Sequence, residues 1–291
     1  MTDHALQNAP LARRATGSKG TAITPADLSI TPRDLRFGRE PDFRRDRWWA
    51  DGDPFATAMF NALSVTFPKG EAFFVEAVKA HRDFADPKLA EDIRAFVQQE
   101  VMHSREHVAF NRRVLADGYD ISRLEARVDQ SLELTRGRPV IANLLATICL
   151  EHFTAIFAHR LLADSEHLAR ADAEEAALWR WHAIEEIEHK GVAYDTYLAA
   201  TRDWSGWKRW KTRSIVMLIV SWQFLLFRYE GMLDLLAQDG IVGRRAARGV
   251  LGYLLGRPGL LRRSFPAWIA WFRPGFHPWQ HDDRALIATV D

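Results

Sequence analysis

The chain holds a single cysteine, Cys149, in 291 residues. One thiol excludes an intrachain disulfide and any thiolate-rich metal site, and it fits a reducing compartment. Excess charge is lacking as well. Lys and Arg total 39 against 38 Asp and Glu, a formal net charge of +1, so no global field favours nucleic acid. No apolar run is long enough to span a bilayer. The longest, Ser214 to Phe227, covers 14 residues and is interrupted by Ser221 and Gln223. A bilayer needs about 20 residues, so a buried helix is the expectation there. The N-terminus carries Pro10, Arg13, Arg14 and Pro25 without an apolar h-region. No secretory signal is therefore expected, and the expected location is the cytoplasm. Strand alternation, internal repeats and low-complexity tracts are missing too.

What is present is apolar and helix-forming. Hydrophobic residues make up 47% of the chain, ample for one sizeable core. Residues 1–50 lack a sustained apolar period and read as an extended, partly disordered arm whose end, Trp48-Trp49, docks on the body. Residues 51–203 read as a helical bundle. Pro54 opens a first segment that Pro68 and Gly70 interrupt, and Asp86-Pro87 marks a turn. A second helix spans about Pro87 to Asp117, and residues 118–137 connect with a short helical piece. A third helix spans about Pro139 to Ala163, and a fourth about Asp172 to Thr201. Residues 204–291 read as further helices on the bundle, one long (Trp207 to Ala237) and others broken by Gly256, Pro258 and Pro266.

Glu-x-x-His occurs twice, at Glu100/His103 and Glu186/His189, each inside a predicted long helix. Positions i and i+3 share a helix face, so a carboxylate and an imidazole reach one small volume. Bundles that hold two metal ions use two such pairs plus a glutamate from each of two other helices. Glu71 and Glu151 fill those places. Glu71 and Glu100 are equidistant from position 85.5, at the Asp86-Pro87 turn; Glu151 and Glu186 are equidistant from 168.5, near the Asp164 to Arg170 break. Residues equidistant from a hairpin turn lie at one height, so both hairpins level their glutamates. The 51 residues from Glu100 to Glu151 suffice for a single long crossover. His107 and His182 extend the two faces as third nitrogen ligands, as hydrogen-bond partners of ligands or as surface residues, with the ligand role favoured for His182. Four buried carboxylates repel unless cations neutralise them. Oxygen and imidazole donors suit two ions of iron first, then manganese or zinc.

Blander readings stand beside these. Glu71 follows Pro68 and Gly70 and could be a first-turn acid, with Glu76 its competitor. Cys149 reads as an inert core thiol. His152, His159 and His167 are expected to face elsewhere or to make structural hydrogen bonds. Asp195 and Tyr194 are candidates for the surroundings of the site without a definite place. Glu185 and Glu106 flank the ligands and are candidates for handling protons. Trp204, Trp207 and Trp210 alternate with Lys208, Arg209, Lys211 and Arg213. That pattern suits either aromatic packing on the bundle or peripheral contact with the inner membrane face.

Three motifs carry a resemblance. Phe67-Pro68-Lys69-Gly70-Glu71, the stretch Gln98 to His107 and the stretch Trp181 to Lys190 resemble a bacterial family labelled predicted metal-dependent hydrolase, over about residues 30–280. The fourth-helix pattern is also similar to that of the arylamine N-oxygenases, such as p-aminobenzoate N-oxygenase, in which a third histidine joins the usual di-iron ligands; that resemblance implies His182 as the third histidine beside Glu186 and His189. The expectation is an all-α, ferritin-like four-helix bundle with one long crossover and additional C-terminal helices. Its expected function is di-iron oxidation of a small apolar or lipid-like substrate with O2 and a reductase partner. A binuclear hydrolase is the alternative, and metal binding without catalysis the third.

Overall fold

The computed structural model describes residues 24–40, 43–164 and 166–288. The expectation of disorder at the start of the arm falls on residues 1–23, outside the described residues. Helix starts follow local chemistry. Asp53 accepts hydrogen bonds from the Phe55 and Ala56 amides and Pro54 sits in the first turn, opening α1 (Pro54–Lys79). Asp86 and Pro87 repeat the device for α2 (Pro87–Ala116). After α3 (Ser122–Glu133), Pro139 precedes α4 (Val140–Ala163). Asp172 caps α5 (Ala173–His189), and α6 (Val192–Ala200) follows. Ser205 caps α7 (Gly206–Gln238). The chain ends with α8 (Gly243–Leu251), α9 (Leu260–Ala270) and the short α10 (Arg284–Ile287).

The described chain is an all-α bundle of two hairpins, α1–α2 and α4–α5. Helix α1 packs on α4 and α2 on α5, α3 carries the crossover, and α7 lies over α1 and α4. Two apolar clusters fill it. One gathers Trp49, Phe60, Phe110 and Trp179; the other gathers Phe96, Leu144, Ile148 and Trp271. Along α1 and α2, and from α5 into α6, the predicted ligands fall between the residues of the first cluster and those of the second, so a polar layer divides the core.

Three boundaries differ from expectation. Helix α1 runs unbroken through Pro68. A proline has no N–H for the carbonyl four residues back, which here is Ser64. Asn111 Nδ2 from α2 donates to that carbonyl at 3.2 Å, so the lost bond is replaced and the helix continues. Helix α9 likewise runs through Pro266. The fourth helix, in contrast, breaks at Lys190-Gly191 and resumes as α6. A side chain at Gly191 would lie 2.4 Å from Thr24 Oγ1 and 2.9 Å from the Trp279 ring, so arm and C-terminal segment close on the chain there.

The arm docks over more than its end. Leu28, Ile30, Phe37 and Trp49 are all buried. Helices α4 and α7 are each long and apolar enough to cross a membrane by length and composition; α4 lies in the core, while α7 leaves one face exposed.

Candidate metal centre

Seven of the eight predicted ligands sort into two groups whose donor atoms lie within 4.8 Å of one another. One is Glu100, His103, Glu186 and His189; the other is Glu71 and His182, with His107. All are buried. Glu151 stands outside both groups with Oε2 3.2 Å from His189 Nδ1. Glu186 joins them, its Oε1 lying 2.8 Å from His182 Nε2 and 3.9 Å from His189 Nε2. Glu71 is buried, whereas its competitor Glu76 is exposed.

Hydrogen-bond order fixes the imidazole protons. The Ser64 carbonyl orients the Asn111 amide, so Ser64 Oγ donates its one proton to Asn111 Oδ1 at 2.7 Å. Ser64 Oγ must then accept from His107 Nδ1 at 2.8 Å. His107 Nε2 is left as the acceptor for His182 Nδ1 at 2.6 Å. A neutral His182 then carries its lone pair on Nε2, the atom that meets the Glu186 and Glu71 carboxylates at 2.8 and 3.7 Å. A lone pair aimed at two carboxylates is an arrangement a cation completes. His107 has both nitrogens engaged, so it orients His182.

A second chain acts on His103. Trp181 Nε1 and the Arg33 amide donate to Glu185 Oε1, and His103 Nε2 donates to Glu185 Oε2 at 3.0 Å. His103 Nδ1 is left without a partner. Also without hydrogen bonds, though buried, are both oxygens of Glu100 and Glu151, Glu71 Oε1, Glu186 Oε2 and both nitrogens of His189. Leaving so many buried polar atoms unpaired is costly, and divalent ions bound among them would give them partners. Four carboxylates balance the charge of two such ions. The residues present fit a binuclear oxygen–nitrogen metal site.

The titration shifts have the same origin. Burial, then repulsion among the carboxylates, pushes Glu100 well above the usual carboxylate range. Burial does the same to Glu71 against an opposing bond from Ser104, and raises Glu151 to about 7. Burial holds His103 and His107 well below the ordinary imidazole value. At His189 burial is outweighed by Glu186 and Glu151, and its pKa rises to about 9.

Glu106 and Glu185 are placed differently from the expectation that they handle protons. Glu106 accepts from Arg39, Arg105 and the Phe37 amide, anchoring the arm. Glu185 has both oxygens occupied, as above. Asp195 and Tyr194 hold the C-terminal segment through His277 and the Phe276 carbonyl. His152 and His159 make structural bonds, to the Ala267 carbonyl and to Asp283. His167 departs from its expected role: it lines a cavity with Nε2 unpaired.

Two apolar cavities reach the centre. One, about 60 Å³, touches His182 and Glu186 beside Leu63, Phe157 and Trp179. The other, about 180 Å³, touches Glu71 beside Phe67, Leu150 and Phe224. Ser104, which donates to Glu71 Oε2 at 2.8 Å, escaped the sequence reading although it follows His103 directly. Nothing in the sequence singles out Arg33.

The family described as predicted metal-dependent hydrolase matches residues 31–282 of the chain. None of the curated proteins and none of the solved structures matches it.

Proposed function

The chain belongs to the predicted metal-dependent hydrolase family, and from that premise we propose that it cleaves an apolar ester or amide at a binuclear metal centre. Glu71, Glu100, His103, Glu151, His182, Glu186 and His189 are the ligands in this reading. The observation that carries it is the set of buried, hydrogen-bond-free donor atoms converging from α1, α2, α4 and α5. Bound there, divalent ions polarise an acyl oxygen and acidify water at neutral pH.

The protein's own residues prepare that chemistry. Ser64, through His107, presents His182 Nε2 as a lone pair; Glu185 does the same for His103 Nδ1. Ser104 fixes Glu71. Leu63, Phe67, Phe157 and Phe224 wall the approach, exclude bulk water and select an apolar acyl or leaving group. His167, unpaired on the wall of the smaller cavity, is placed to accept or return a proton from a molecule bound there.

The second reading is di-iron oxidation with O2 and a reductase. The carboxylate-rich donor set and the apolar cavity walls favour it; the family description favours hydrolysis. One experiment separates the two. The purified protein is assayed for bound metal, then for release of p-nitrophenol from medium-chain esters and for O2 uptake with a chemical reductant. Metal-dependent ester turnover, abolished by chelation and restored by the same metal, is the expected result. O2 uptake coupled to product formation without ester turnover overturns it in favour of oxidation.

A further inference from the structure

Arg228 sits in α7 directly after the apolar run Phe224 to Phe227 and is 5% exposed. One of its nitrogens donates to the Ala62 carbonyl and its Nε has no partner. Among the described residues no carboxylate pairs with it, although Glu230 and Asp234 lie on the same helix; those acids pair with Arg127 and Arg123 instead. Taking a guanidinium out of water without a counter-charge costs several kcal/mol. Burial alone lowers its pKa to about 10. The side chain lines the larger cavity, whose wall also includes Glu71, Phe67, Leu150 and Phe224.

We propose that Arg228 is the anchor for the anionic head, carboxylate or phosphate, of an amphiphile whose apolar body lies in this cavity beside Glu71. The fork of guanidinium donors matches either head in bidentate fashion, and the aromatic and aliphatic walls take the chain. As a statement about substrate it rests on the hydrolase reading; as a statement about binding it does not.

Calorimetry on the metal-loaded protein with decanoate, decyl phosphate and decanol, each below its micelle concentration, tests it. Wild type is expected to bind an anion about 10-fold or more tighter than the alcohol. Arg228→Met should erase the gap and Arg228→Lys keep part of it, with metal content and melting temperature recorded for both. The better of the two anions identifies the head. Equal binding of decanol and both anions by wild type overturns the proposal, and does so even if Arg228→Met fails to fold. Persistence of the gap in a folded Arg228→Met also overturns it. Ester turnover without anion preference sinks only this proposal; anion preference without turnover sinks only the hydrolase reading.

A different observation carries a second inference. Lys208, Lys211, Ile215, Leu218, Ile219 and Trp222 share one face of α7, and all are exposed, Trp222 by 71%. The stripe continues into a groove where Leu225 meets Leu255, Phe265 and Arg262. Residues 204–273 hold twelve Lys and Arg, of which only Arg213 and Arg228 are buried, against three acids, and those acids are all paired with arginines from before α7. We infer that this face docks on an anionic lipid surface, the apolar stripe entering the interface and the cations meeting the headgroups. Flotation with vesicles of phosphatidylcholine alone and with a third phosphatidylglycerol tests it. Binding to the anionic vesicles only, lost in Ile219→Glu/Trp222→Glu, is expected. No flotation overturns it, as does a dimer in light scattering that the same double variant dissolves while vesicle binding is absent.

Discussion

The two flanks of the bundle are covered by different chemistry. Over α2 and α5 lies the arm, held by charge: Arg33 on Glu185 and Glu188, Arg39 on Glu106, Arg45 on Glu175 and Asp117. Over α1 and α4 lies α7, held by apolar packing that leaves two cavities. The polar flank supplies the bonds that orient His103 and Glu185. The apolar flank supplies the routes by which a substrate reaches Glu71, His182 and Glu186. One side fixes the centre and the other admits molecules to it, so variants on the two flanks should fail in different measurements.

The largest effect is expected where the flanks converge. Glu100→Ala or His189→Ala removes a ligand without touching either cover, and ester turnover should fall about 10³-fold with at least one metal equivalent lost by elemental analysis. Retained metal with full turnover would end the binuclear reading. Next comes the polar flank. Glu185→Gln or Arg33→Ala should weaken metal affinity about 10- to 100-fold in competition with a chelating dye, while decanoate binding is unchanged. The apolar flank should do the reverse. Ala158→Leu narrows the smaller cavity, at a stability cost of about 1–3 kcal/mol. KM for a medium-chain ester should rise roughly tenfold, the equivalent of about 1.4 kcal/mol, with metal content intact. If Ala158→Leu loses metal and leaves KM unchanged, the division of labour is wrong.

The smallest effect is on stability against pH. In the metal-free protein Glu71, Glu100 and Glu151 hold protons above the ordinary carboxylate value, and His189 holds one up to about 9. Between pH 6.5 and 9 the folded state thus binds more protons than the unfolded chain. Stability falls as pH rises through that window. His103 and His107, neutral in the folded state, oppose this only near the lower end of the window, where the unfolded imidazoles still bind protons. The metal-free melting temperature should drop by several degrees, on the order of 2–4 °C per kcal/mol, whereas the loaded protein, whose ions have displaced these protons, should change less. A metal-free melting temperature that climbs over the same range would contradict the buried, protonated carboxylates.

Parts of this arrangement were legible in the chain itself. The two Glu-x-x-His pairs, which fall into one buried group, depend only on helical period. The Asp-Pro starts of α1 and α2 depend only on neighbouring residues. The continuity of α1 through Pro68 was not legible, because the replacement donor, Asn111, is 47 residues from Ser64. The need for glycine at 191 was hidden for the same reason, since Thr24 and Trp279 close on that position from far along the chain. Arg228 did leave a trace, a lone cation after four apolar residues, but only packing showed it lacks a carboxylate.

Sequence alone determined what obeys local rules: an all-α chain, the helix starts, and a row of acids and imidazoles along four inward faces. Tertiary structure decided which nitrogens of His103 and His107 are engaged, that Glu106 and Glu185 serve other side chains, and which flank opens to ligand. The physical reason is that a side chain's proton, counter-charge and solvent access are set by atoms brought near in space. Most of those atoms come from helices and an arm far away along the chain.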